Sequence, residues 1–286
     1  MSSETGVIHD IGYQHYVGPR LGRRYAAWSI YLHSVRTSFG LGRSAKAKML
    51  PFGLFAVVCI ASLILVVVST QLPEPVLSYV GIASTFSYAV TVFVAMVAPE
   101  LVSRDLRNTV LPLYFSRPPE RTDYALAKLG ALATAAFVMF AGPMLIMFIG
   151  LAFSTSEGIG GVFREAGGLV SGLLAAVIHS MVMATIAVPL AALTGRRVFG
   201  TGLIIGVFLL SAPVSGVLGA IGSGSMTQLA PLLNPVYLLF GVDDWLFGES
   251  LMVSVDSYGP IYGVAAILLA AAGTMLLMWR YRKVNA

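Results

Sequence analysis

Two ionisable residues stand out by position. His179 lies well inside a long uncharged run, and Glu100 stands at the end of another. A titratable group within the hydrocarbon layer is what a proton or ion relay needs. A lone imidazole in such a run more often packs or hydrogen-bonds than relays protons. Glu100, at the edge of its run, is placed to meet water or a basic neighbour. The other chemical signals are weaker. The GSGS string at 222–225 contains serines, but it falls in a loop with no membrane histidine after it, and its composition is that of a flexible linker. GPRLGRR at 18–24 lacks the spacing and the Lys-Ser/Thr ending of a phosphate-binding loop. His9 and His15 sit in a polar, Gly-containing segment and read as surface residues. The single cysteine, Cys59, cannot form an intrachain disulfide, and no Cys/His cluster has metal-ligand spacing. We expect no catalytic residue, no metal site and no cofactor bound by this chain. If ATP is used, another chain hydrolyses it.

The elements that must position these residues are membrane spans. Of 286 residues, 57% are hydrophobic and 11% are charged, against about a quarter charged in a soluble domain. That deficit excludes a soluble enzyme, a DNA-binding domain and a disordered regulator. The net charge of +5 then marks loops rather than a nucleic-acid partner. Crossing a bilayer takes about 20 apolar residues. Six runs qualify, at about 52–69, 80–98, 126–153, 169–193, 199–221 and 259–279. Pro143, Pro189 and Pro213 lie inside the third, fourth and fifth, where neighbouring helices can satisfy freed backbone groups. The first run starts too late to be a cleavable signal.

Basic residues set the expected orientation. Seventeen of 18 fall before span one, between spans two and three or at the start of span three, after span four, or after span six. The opposite side has Arg164 alone, against seven acids, among them Asp243 and Asp244. Both ends are therefore expected in the cytoplasm. None of the 31 Asp, Glu, Lys and Arg residues falls mid-span, which leaves ion-coupled transport poorly supported.

Residues 1–50 form the largest cytoplasmic piece. Tyr25, Trp28, Leu32, Val35 and Phe39 recur at intervals of 3, 4, 3 and 4, one face of a helix over about 23–40, with Arg24, Ser29 and Arg36 on its other side. A basic amphipathic helix ahead of a span suits the headgroup plane; the rival is packing on another protein surface. In the loop after span two, Val102, Leu106 and Val110 repeat every fourth residue, predicting a short amphipathic helix that carries Arg104, Asp105 and Arg107 and ends at Pro112. Thr122 and Asp123 suit the start of span three. The loop at 222–258 holds an apolar stretch too short and too Pro-interrupted to span, which fits a re-entrant or surface-lying pair of short helices. Gly202-x-x-x-Gly206 and Gly216-x-x-x-Ala220 in span five have the spacing for close helix approach, a candidate dimer face.

The run from Glu100 to Lys128, ELVSRDLRNTVLPLYFSRPPERTDYALAK, resembles the first cytoplasmic loop of the type-two ABC transporter permeases. That family carries an acidic residue ending span two, a Gly/Asn-Thr-Leu-like element, then a Pro, an Arg, an aromatic and a Lys. Here these match Glu100, Asn108-Thr109-Val110, Pro118, Arg121, Tyr124 and Lys128, with Asn where many relatives have Gly. The resemblance extends to the architecture and implies an all-α integral membrane permease: six spans, an N-terminal amphipathic elbow helix and a cytoplasmic coupling helix. The coupling element would be centred on Arg104–Val110, and the loop, with Arg117 in it, would seat on a separate ATPase. Also implied are a bacterial cell membrane location, a second permease copy or paralogue, ATP and Mg on the partner, and export of a hydrophobic or amphiphilic substrate. Membrane lipids are further partners; nucleic acid is not. Two rivals stand beside this reading: an ion-coupled carrier using His179 or Glu100, and a non-transporting membrane scaffold or sensor.

Overall fold

The computed structural model describes residues 18, 21–72, 76–107, 120–194, 196–249 and 252–283, with the side chains of 103–107 excepted. Among these residues there is no strand. Helix α1 (Gly22–Ser38) precedes α2 (Ala45–Ser69), α3 (Tyr79–Arg107), α4 (Arg121–Ser154) and α5 (Ile159–Thr194). The fifth span is α6 (Arg197–Ile205), a π-helical turn (Gly206–Leu210) and α7 (Ser211–Ile221). Between it and the last span lie a short α8 (Ser225–Leu229), a 3-10 turn (Ala230–Leu233) and α9 (Pro235–Phe247); the chain ends in α10 (Gly259–Arg282).

Six helical stretches are long and apolar enough to cross a membrane, so the protein is a multi-pass membrane protein. They outrun the uncharged stretches. Span one begins at Ala45 rather than 52, span three at Arg121 rather than 126 and span four at Ile159 rather than 169. Charged and glycine residues at the ends continue the helices, because backbone hydrogen bonding does not stop where hydropathy does. The most apolar windows of α3 and α5 are 72% and 67% buried, against 17–22% for the first, fifth and sixth spans, so α3 and α5 form the centre. The outer spans show large side chains such as Ile60, Leu210, Ile267 and Met275 to their surroundings, as lipid-facing helices do.

One close approach holds the centre to the rim. A Cβ on Gly273 in α10 would lie 2.0 Å from the Thr185 carbonyl oxygen of α5. Only glycine lets these two backbones meet. The sequence analysis marked other glycines: Gly202 and Gly216 have open space around them, and Ala220 is exposed on the same span. The span-five face that they share is thus unpacked among the described residues, while Gly206 falls in the π turn.

Candidate functional site

At the membrane face that carries α1 and the end of α10, Glu100 is the central acid. Its Oε2 accepts from Arg43 Nη1 at 2.5 Å and its Oε1 meets Arg197 Nη1 at 2.6 Å. One carboxylate therefore joins the α1–α2 turn, the α3 helix and the start of α6. The pairing is charge-assisted on both oxygens. A second group of ion pairs fixes α1 to the start of α4. Arg23 reaches both Glu120 and Asp123, while Glu120 and Asp123 form a reciprocal capping box on α4. The Asp123 hydrogen bond, helped by the nearby charges of Asp123 and Glu120, pushes the Arg23 guanidinium further towards its charged form.

Arg121 and Tyr124, the last of the residues read as the coupling loop, tie the base of α4 to the end of α10. Arg121 Nη1 donates to the Arg282 carbonyl at 2.9 Å, and the Tyr124 ring meets Tyr281 edge-on at 5.3 Å. The buried Lys128 ammonium lies over the Tyr124 ring. Arg104, Asp105, Leu106 and Arg107 continue α3 without a break, so the first part of the expected short helix is an extension of span two. Asn108, Thr109 and Arg117 lie outside the described residues.

Helix α1 packs on α4 through a face other than the apolar stripe. Ser34 and Ser38 are buried, and Tyr31 hydrogen-bonds Thr134 at 2.8 Å. Tyr25 and Trp28 remain more than half exposed. Leu32, Val35 and Phe39 are half-buried, and Phe39 reaches Phe52 and Phe93. Among the described residues the N-terminal half of the stripe is thus largely uncovered, with Trp28 stacked on Tyr31 of the same helix, and it presents two amphipathic aromatics, the type that settles at membrane interfaces.

The second polar cluster lies inside the bundle, and it overturns one expectation. Asp243 was assigned to a loop outside the membrane, yet it is fully buried and sits 2.9 Å from Nε2 of fully buried His179. The charge belongs to α9, which packs against α3, α5 and α10. Ser84 donates to the same carboxylate oxygen at 2.9 Å, and Ser87 Oγ lies 2.9 Å from His179 Nδ1. Ser87 Oγ also lies 2.8 Å from the Ala83 carbonyl, so its one proton can go to that carbonyl or to Nδ1. A single hydrogen bond joins Nε2 to Asp243 Oδ2. Asp243 Oδ1 is buried with no hydrogen-bond partner among the described residues.

Asn234 places α9. Its Oδ1 accepts from the Val236 and Tyr237 amides at 2.9 Å each, capping the helix. Its Nδ2 donates to the Phe208 carbonyl at 2.7 Å and to Ser211 Oγ at 2.8 Å. All four bonding positions of the amide are filled. A π turn leaves helix carbonyls out of register, and here a fully buried side chain from the re-entrant segment satisfies one of them. Hydropathy and charge placement do not mark Asn234 or the inward turn of Asp243. The signal was present: Asn-Pro is a helix start, and PVYLLFGV carries eight uncharged residues from it to Asp243.

No ligating cluster of three or more His, Cys, Asp and Glu occurs among the described residues. No protein-family model and no curated protein matches the chain.

Proposed function

We propose that the chain is the membrane-spanning permease subunit of an ATP-driven ABC exporter, with both ends in the cytoplasm of a bacterial cell. A separate ATPase would supply the power, a second permease copy or paralogue would complete the complex, and the cargo would be hydrophobic or amphiphilic. The observation that carries this reading is the grip of Glu100 on Arg43 and Arg197. A helix that projects beyond the membrane can move spans only if its base is fixed to them. Glu100 stands four residues before Arg104 on one unbroken helix and holds both neighbouring elements. A force applied at 104–107 would therefore reach the α1–α2 turn and span five together. In this reading α1 is the elbow helix, and the α3 extension with the loop beyond it is the coupling element. The loop resemblance and the re-entrant α8–α9 pair before the last span add support. The energy would come from the tighter binding of ATP to one state of the complex.

The test is purification of the tagged chain from its native membrane. A co-purifying subunit with nucleotide-binding motifs, whose ATP hydrolysis depends on the chain, supports the proposal. Active transport by the chain reconstituted alone would refute it.

The His179–Asp243 pair favours a second reading, an ion-coupled carrier. Uncharged spans had argued against it, and Asp243 weakens that argument. A proton gradient driving uptake by the chain alone, abolished in His179→Gln, would establish it. Persistence of ATP-driven export in the same variant would exclude a proton-relay role.

A further inference from the structure

A cavity of about 330 Å³ opens beside the Glu100 ion pairs, between the end of α1, the start of α2, α3 and α6. Its walls include Arg43, Lys46 and Arg197, with Glu100 as the only acid among the described residues. Three cations against one carboxylate leave two positive charges facing the space. Glu100 occupies one amino group of each arginine. Lys46 is exposed and has no ion-pair partner among the described residues. Structural ion pairing would not call for a third cation here.

The cavity lies where three helices enter the apolar layer. Lys46 is the second residue of the span-one helix, and Arg197 is the first of the span-five helix. Leu50 and Pro51 form part of the wall, and exposed Met49 and Phe52 flank it. Cations at the membrane edge beside outward-facing apolar side chains match one ligand shape: an anionic head with its tails alongside the helix. Basic recesses between helices at this depth hold anionic headgroups, and the volume lies within the usual range of ligand sites.

We propose that this cavity binds the headgroup of an anionic phospholipid. Arg43, Arg197 and Lys46 would hold the phosphate, and the acyl chains would lie along Met49, Leu50 and Phe52. The site joins α1, α2, α3 and α6, so a bound lipid would brace the elements that Glu100 already links. It does not depend on the permease reading and would serve a carrier or a scaffold equally.

The test uses the purified full-length chain in nonionic detergent, titrated with phosphatidylglycerol, with phosphatidylcholine of the same acyl composition, and with inorganic phosphate. Binding is read by native mass spectrometry and by thermal stabilisation. Lys46→Gln is compared with Lys48→Gln, which removes the same charge outside the cavity. Lys46 makes no described ion pair, so its loss leaves the fold in place. Phosphatidylglycerol is expected to bind and stabilise the chain, and Lys46→Gln to weaken it about fivefold, the effect of one near-surface cation. Lys48→Gln should change it by less than twofold. Equal binding of phosphatidylcholine, equal effects of the two variants, or saturation by inorganic phosphate at the same concentration would each overturn the proposal. The last outcome would identify a soluble phosphate site.

Discussion

Replacing His179 by leucine removes the partner of a fully buried carboxylate. In that variant Asp243 keeps the Ser84 hydroxyl, Oδ1 still has no described partner, and Oδ2 loses the imidazole. Removing one member of a buried pair costs roughly 3–5 kcal/mol, because the remaining charge is left uncompensated. Asp243→Asn should be milder, at about 1–2 kcal/mol. The amide is neutral, fits the same space and can hydrogen-bond Nε2, while Nδ1 keeps Ser87 Oγ. The double variant His179→Leu, Asp243→Leu should lose less than His179→Leu alone, since apolar replacement of a whole buried pair is often neutral. Equilibrium unfolding of the wild type, His179→Leu, Asp243→Leu and the double Leu variant in mixed micelles gives the coupling energy, which should be at least about 2 kcal/mol. Additivity within about 0.5 kcal/mol would mean that the two side chains do not meet in the folded protein, and the buried position of α9 would be wrong.

The same packing sets other outcomes. Asn234→Ala removes a helix cap and the partner of the π-turn carbonyl, and should cost about 2–4 kcal/mol in the same unfolding assay, with Asn234→Asp a poor substitute because it cannot donate to Phe208. Gly273→Leu should push α10 off α5, and a lowered melting temperature with new protease sensitivity in the last span would show it. Glu100→Gln should leave stability within about 1–2 kcal/mol, because the group is partly solvated. It should, however, raise amide exchange in the α1–α2 turn, and unchanged exchange there would remove Glu100 from its proposed linking role.

The spans were legible because the bilayer imposes a length on any apolar run, a constraint that needs no tertiary information. Their ends were not, since helices such as α5 run on through Arg164 and Glu165 past the apolar part. The α1 helix was visible as a periodic stripe, but the face that packs on α4 uses Tyr31, Ser34 and Ser38, which hydropathy does not mark. Asp243 and Asp244 show the limit most plainly. They are neighbours in one acidic string, yet successive residues on a helix point about 100° apart. Asp244 turns to the Val255 amide at the rim, and Asp243 turns inward to His179. Only the docking of α9 distinguishes them, and that depends on Asn234, 26 residues from the carbonyl it satisfies.

The central claim is that an ATPase drives this chain through the end of α3. Its most direct measurement is ATP hydrolysis and partner retention by the purified complex carrying Arg104→Ala, Leu106→Ala and Arg107→Ala together. The account predicts a chain that still inserts and folds but loses its ATPase partner, or keeps it with hydrolysis no longer responsive to the permease. A complex that retains the partner and hydrolyses ATP at the wild-type rate would contradict it.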